Sequence, residues 1–159
     1  MTQQFAEILL FIPILLTAGF VFFLPSVIQK MMNDLDGAEF KRFLTSLVEH
    51  SLGSPYGIGV SITPFIGMIP YWIYFRLDNL WFSAGLVMWI ITSAIAKQTR
   101  LPIYSRVTGR KFPGYKTQSE IPKNDEAELK KECRKLQKAN YIQALFTFIS
   151  VILMTIGFY

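Results

Sequence analysis

Cysteine and histidine each occur only once in this chain, as Cys133 and His50. A single cysteine excludes an internal disulfide bond and the multi-thiolate sites that bind structural zinc. One imidazole also falls short of the three or four ligands that stable copper and zinc sites usually assemble. The sequence further lacks a nucleotide-binding loop, a zincin motif and a nucleophile elbow. We therefore expect no metal site and none of the common chemistries of soluble enzymes.

Lysine and arginine are absent from both ends of the chain, since the first of the 16 is Lys30 and the last is Lys138. Twelve of them lie between Lys97 and Lys138. Such residues accumulate in the cytoplasmic loops of membrane proteins, close to the ends of the spans. Cations beside span ends favour anionic lipid headgroups, rather than nucleic acid, as their partner.

Charged residues are nearly absent from four apolar runs, at about residues 5–28, 56–75, 80–96 and 141–159. Each run is close to the ~20 residues that cross a hydrocarbon core of ~30 Å as a helix. No basic residue precedes the first run, so we interpret it as a retained span and not as a secretory signal. The sequence predicts a single all-α domain over residues 1–159, an antiparallel four-helix transmembrane bundle.

The three connections between these runs differ in their basic charge. The first carries Lys30, Lys41 and Arg42, the second carries only Arg76, and the third carries twelve cations. In a four-span protein the first and third connections share a side, which is predicted to be the cytoplasmic one. The N- and C-termini of this integral, multi-pass membrane protein are then predicted on the non-cytoplasmic side.

The first connection contains a predicted amphipathic helix. Asp36 and Glu39 have the spacing of a capping box, and apolar residues such as Phe40 and Leu44 follow at helical intervals. We expect an interfacial helix over residues 37–51, which lies at the membrane surface or closes the bundle on the cytoplasmic side.

The third connection, residues 97–139, is predicted as a basic cytoplasmic loop in two parts. Residues 100–122 are rich in glycine, proline and cations and are predicted to be irregular. Glu126 and Lys130 are a helix-spaced pair, and no helix breaker follows them before the fourth apolar run. One long helix is therefore predicted from about Glu126 to the C-terminus.

Four polar side chains recur every three or four residues along the fourth run: Asn140, Gln143, Thr147 and Ser150. Polar residues within spans are unfavourable in lipid, so they tend to face the interior of the bundle. One interpretation is hydrogen bonding between packed helices. The other is that this stripe lines a pocket for an amphipathic ligand.

His50 lies near the end of the first connection and has three interpretations. It is a candidate ligand to a cofactor such as haem or copper, a candidate general base near neutral pH, or an ordinary residue of the membrane surface. The sequence leaves the cofactor open.

Two segments resemble the anthrone-oxygenase-like four-span membrane proteins, the DUF1772 family. They are residues 17–29, which read TAGFVFFLPSVIQ, and residues 99–106, which read TRLPIYSR. The resemblance implies an oxygenase-like protein that acts on an aromatic or quinol-like compound. It also implies that His50, Arg100 and Tyr104 lie near the cytoplasmic end of the pocket, as polar anchors and candidate catalytic residues.

The leading functional hypothesis is an intramembrane pocket for an apolar or aromatic compound, which an oxygenase-like activity would oxidise. The alternative is a non-enzymatic subunit or scaffold of a larger membrane complex, because the basic connection offers a docking surface. Other membrane proteins or further copies of this chain are then the expected partners. A transporter is the third option, with Glu7 and His50 as the residues able to handle protons.

Overall fold

The computed structural model describes residues 3–52, 66–112 and 119–158, and these residues form helices without any strand. The helices within them are α1 Gln3–Phe23, α2 Gln29–Asp34, α3 Gly37–Leu47, α4 at residues 66–71, α5 Leu80–Thr108 and α6 Glu126–Phe158. Helices α1, α3 and α4 continue into π-helical turns at Leu24–Ile28, Val48–Leu52 and Trp72–Arg76. The predicted all-α class is confirmed for the described residues.

Three helical segments are long and apolar enough to cross a membrane: Ile14–Asp34, Leu80–Thr108 and Glu126–Phe158. Large apolar side chains such as Leu16, Ile91 and Ile142 are exposed on them. Broad exposed apolar surfaces of this kind mark contact with lipid or with a partner. The chain is therefore a membrane protein. The first half of the second predicted span, residues 56–65 of 56–75, lies outside the described residues.

Helices α5 and α6 run antiparallel and approach each other closely. Asn79 caps α5, because its Oδ1 accepts from the Phe82 amide (3.0 Å) while its Nδ2 donates to the Gly157 carbonyl (2.9 Å). A Cβ atom at Gly85 would lie 2.8 Å from the carbonyl oxygen of Ser150. Only glycine therefore permits this backbone separation, which is typical of packed membrane helices.

Residues 100–108, part of the segment 100–122 that was predicted to be irregular, continue helix α5, and this corrects the prediction. The helix predicted from about Glu126 towards the C-terminus is present as α6. Helix α5 continues through Pro102, a residue that removes one helical hydrogen bond. Ile103 and Val107 are buried in a core shared with α3 and α6, and this burial offsets the loss. The helix ends where Gly109 takes a left-handed backbone conformation, with φ of 72°.

The helix predicted at residues 37–51 is present as α3 and the π-helical turn that follows it. Its capping box is formed, because the Glu39 amide donates to Asp36 Oδ1 (2.8 Å) and the Asp36 amide donates to Glu39 Oε2 (3.2 Å). Phe40 and Leu44 are buried in one core with residues of α5 and α6. We call the end of the molecule formed by α2, α3, the last turns of α5 and the first turns of α6 the basic end.

Candidate functional site

The polar stripe on α6 is divided into two parts by the structure. Ser150 is fully buried and its Oγ donates to the Phe146 carbonyl (2.8 Å), so it is satisfied within its own helix. Thr147 is buried as well. Asn140 and Gln143, nearer the basic end, each have a buried side-chain oxygen that accepts no hydrogen bond within the described part of the chain. Asn140 and Gln143, the half of the stripe nearer the basic end, therefore have side-chain oxygens that could accept a hydrogen bond from a ligand.

Gln29 belongs to the same polar cluster and was missed in the sequence. Its side chain is fully buried, its Oε1 accepts from Asn140 Nδ2 (2.8 Å), and its Nε2 donates to Asn33 Oδ1 (2.9 Å). The sequence suggested that the first span ends before this residue. Because the helix continues through the π-helical turn into α2, Gln29 still faces α6.

Arg100 has two buried donors, Nε and Nη2, with no hydrogen-bond acceptor among the described residues. It follows Phe82 by five helical turns, so both side chains leave the same face of α5. The backbone of Phe82 packs directly against Gly157, so this face is directed towards α6. Tyr104 is buried one turn beyond Arg100. The structure thus brings Arg100 and Tyr104 together on one helix.

The register of the two helices brings Arg100 and Asn140 to neighbouring levels. Arg106 donates to both Glu128 and Glu132, so it lies opposite the turn of α6 between them. Arg100 lies six residues, or about 9 Å, before Arg106 along α5. The same distance along α6 from the turn between Glu128 and Glu132 ends within roughly one turn of Asn140. Side chains lean towards the N-terminus of their own helix, so in an antiparallel pair these two lean towards each other. The Arg100 donors and the Asn140 and Gln143 acceptors, which have no partner among the described residues, therefore lie at neighbouring levels of the boundary between α5 and α6.

His50 lies at the surface, away from this boundary. Its Nδ1 is 2.9 Å from the Ser46 carbonyl oxygen of its own helix, and the ring is exposed. The neighbouring Glu49 lines a shallow groove with Gly109, at the end of α5. That end lies about 14 Å along the helix axis from Arg100. The described residues contain no group of three or more His, Cys, Asp and Glu side chains that could hold a metal ion.

Glu7 is part of an ion-paired cluster at the end of the molecule opposite the basic end. Its Oε1 accepts from the Tyr71 hydroxyl (2.6 Å) and from Arg76 Nη2 (2.9 Å). Arg76 Nε also donates to the Tyr71 hydroxyl (3.2 Å). The hydrogen bond with Tyr71, followed in size by the one with Glu7, raises the pKa of Arg76 above its ordinary value. This cluster joins α1 to the segment that follows α4.

The basic end neutralises much of its own charge. Arg106 and Lys135 both donate to the carboxylate of Glu132, which is only 1% exposed. Arg106 also binds Glu128 (2.9 Å). Glu128 lies outside the apolar segment of α6, and the hydrogen bond from Arg106 lowers the pKa of its carboxyl group. Lys41, which is buried, pairs with Glu120. These pairs hold α5, α6 and α3 in one unit.

Comparison with known proteins assigns no family to this chain. No family model, no curated protein and no solved structure matches it. Function is therefore inferred from the residues and their geometry.

Proposed function

We propose that this membrane protein binds a small compound with an apolar or aromatic body between α5 and α6, near the basic end of the spans. The observation that carries the proposal is the pair of buried Arg100 donors that have no acceptor among the described residues. A buried donor left unsatisfied destabilises a protein by about 1–3 kcal/mol, so native structures rarely retain one without a use. A bound ligand that accepts these hydrogen bonds would remove that destabilisation.

The groups at the boundary define the chemistry of the ligand's polar head. Arg100 offers donors to a carbonyl oxygen or an oxyanion, and the guanidinium fork suits planar oxygen groups. Asn140 Oδ1 and Gln143 Oε1 offer acceptors to a hydroxyl group. A phenol, a quinol or a hydroxy acid carries both functions. Thr147 and the apolar side chains of α5 and α6 would then surround the rest of the molecule.

The resemblance to the anthrone-oxygenase-like family supports oxidation of the bound compound by molecular oxygen as the reaction. At a CH₂ group, one oxygen atom would become the new carbonyl oxygen and the other would leave with the two hydrogens as water. In that proposal Arg100 stabilises the oxyanion form of the substrate, because a fixed cation in a water-poor site stabilises developing negative charge strongly. Tyr104 lies one turn away and is the candidate to exchange a proton with the substrate. His50, which is exposed at the surface, is a separate candidate ligand for a cofactor.

The proposed topology is an antiparallel four-span bundle whose basic end faces the cytoplasm and whose termini lie on the opposite side. The twelve cations between Lys97 and Lys138 support this orientation. The antiparallel course of α5 and α6 supports the bundle. The orientation is tested with two single-cysteine variants, Ser119→Cys and Thr2→Cys, each in a chain with Cys133→Ser. Each variant is labelled with a thiol reagent that does not cross the membrane of sealed vesicles. Reaction of both positions from the same side would contradict it.

The experiment that tests the binding proposal compares the compounds that co-purify with the protein. Native mass spectrometry and the ultraviolet–visible spectrum are recorded for the wild type, Arg100→Met and a double variant with Asn140→Leu and Gln143→Leu. We expect a bound compound in the wild type that both variants lose, while the exposed control Arg110→Met retains it. Retention of the same compound by Arg100→Met would contradict the proposal.

Metal analysis on the same samples tests the redox candidate. A haem spectrum or stoichiometric copper that disappears in His50→Ala would assign His50 as a ligand. A wild-type protein that is colourless and free of metal would leave His50 as a surface residue, with the proposed pocket unaffected.

The second candidate function is a subunit or scaffold of a larger membrane complex. The observation that favours it is the packed helical unit at the basic end, which presents exposed cations at Arg110, Lys111 and Lys138. A protein extracted from native membranes as a single, stable species would count against this candidate.

A further inference from the structure

A groove separate from the Arg100 boundary opens at the basic end between α6 and the α2–α3 segment. Its volume is about 330 Å³. The lining residues are Met32, Asn33, Leu35, Phe40, Lys130, Cys133, Arg134 and Gln137. The groove therefore combines apolar walls with two cations, and no acidic residue is among its lining side chains in the described part of the chain.

The cations of this groove belong to a stripe on α6 that continues into the membrane. Lys130, Arg134, Gln137 and Tyr141 follow at intervals of four, three and four residues, so they share one helix face. The same face continues through the exposed apolar residues at 145, 148 and 152. This face therefore matches the profile of one lipid leaflet: it has charge at one end, an aromatic ring where the apolar segment begins, and exposed apolar residues beyond the ring.

Helix α1 forms the other side of this path. Phe22 packs edge-on against Phe148, with ring centroids 5.9 Å apart. Gln29 and Met32 follow on the same helical rod and face α6, because Gln29 Nε2 donates to the Cys133 carbonyl (3.5 Å) and Met32 lines the groove. An acyl chain that leaves the groove can therefore lie along the exposed apolar face of α6, beside Phe22 of α1.

The geometry points to a binding site for an anionic phospholipid, with its phosphate between Arg134 and Lys130 and its acyl chains along this stripe. Guanidinium and ammonium groups are the usual partners of lipid phosphates at the membrane surface. The Lys130–Glu126 pair (3.1 Å) is about half exposed on both sides. Exposed pairs of this kind contribute little, so Lys130 is available to a stronger anion.

A soluble phosphate compound would use the cations but not the apolar stripe. The continuity between the two is the reason for choosing a lipid as the occupant. The site doesn't depend on the pocket at Arg100, which lies between α6 and α5.

The test measures lipid binding to the full chain in a neutral detergent by native mass spectrometry. Phosphatidylglycerol and phosphatidylcholine are titrated separately. A cation near an anionic lipid strengthens binding about fivefold, so the double variant Lys130→Gln/Arg134→Gln is expected to weaken phosphatidylglycerol binding about 25-fold. The matched control Lys97→Gln/Lys123→Gln, which removes two exposed cations outside the groove, is expected to bind as the wild type does.

Three outcomes would overturn the assignment. The first is equal binding of phosphatidylglycerol and phosphatidylcholine by the wild type. The second is an equal loss of binding in the groove variant and in the control variant. The third is competition by glycerophosphate as tight as that of the lipid, which would make the groove a site for soluble phosphates. Arg100→Met is expected to keep the lipid affinity, so the two proposed sites fail independently.

Discussion

Replacement of Arg100 by methionine is expected to stabilise the protein when no ligand is bound. Methionine keeps a long apolar side chain in the same place but removes the guanidinium, whose Nε and Nη2 are buried without acceptors among the described residues. Each unsatisfied donor destabilises the fold by about 1–3 kcal/mol, so removing both is expected to raise the free energy of unfolding by at least about 2 kcal/mol. For a chain of this size, that corresponds to a rise in melting temperature of about 4–8 °C.

The assay is thermal unfolding in detergent, after the co-purified compound has been removed by extensive washing. The exposed control Arg110→Met is expected to change stability by less than about 0.5 kcal/mol. When the compound is returned in excess, the wild type should gain stability and Arg100→Met should not, because only the ligand-competent protein is stabilised by mass action. The variant is therefore expected to be more stable and inactive in binding.

The opposite sign would refute the reasoning. If Arg100→Met lowered the melting temperature of the ligand-free protein by several degrees, the guanidinium would have stabilising partners in the protein itself. The unused donors would then give no reason to infer a ligand at this boundary.

Three further predictions concern the packing and charge of the helices. Gly85→Ala is expected to destabilise the protein by about 1–3 kcal/mol, because its Cβ would meet the Ser150 carbonyl oxygen at 2.8 Å; thermal unfolding measures this. Arg106→Leu is expected to cost about 2–3 kcal/mol in the same assay, since it removes one of two cations from the buried carboxylate of Glu132. Acid should also destabilise the protein: the pKa of Glu128 is lowered by Arg106, so this contribution is present above the ordinary value of 4.5 and is lost as pH falls through the folded-state value.

Each of these predictions has a control. Gly19→Ala should be neutral or slightly stabilising, because nothing lies within 4 Å of an added Cβ there; equal effects at Gly19 and Gly85 would exclude the packing explanation. Adding Glu132→Leu to Arg106→Leu should recover most of the lost stability, and an additive loss would show that the pair isn't coupled. Glu128→Gln should reduce the loss of melting temperature between neutral pH and about pH 3, and an unchanged acid profile would contradict the assignment.

Helix α6 illustrates what could be predicted along the chain. Its start at Glu126 and its continuation into the apolar run depend on helix-spaced charges and the absence of a breaker, which are local properties. The last turns of α5 could not be predicted in the same way. Pro102 and Gly109 both suggest irregular structure locally. Pro102 lies inside the helix only because Ile103 and Val107 are buried against residues distant in the sequence.

The candidate site shows the same division. Periodicity selected Asn140 and Gln143, and a family resemblance selected Arg100 and Tyr104. Gln29 was missed because a lone amide at the end of an apolar run has no periodic signal of its own. Its partner, Asn140, lies more than a hundred residues away in sequence.

The sequence by itself determined that this is an α-helical membrane protein with its cations concentrated at one end, because hydropathy and charge are summed over neighbouring residues. Which polar atoms lack a partner was decided only by the tertiary structure. The closeness of α5 and α6 depends on Gly85, and their register is set by Arg106 and Glu132. Shifting one helix by a turn would place different groups opposite Arg100 without altering any local pattern.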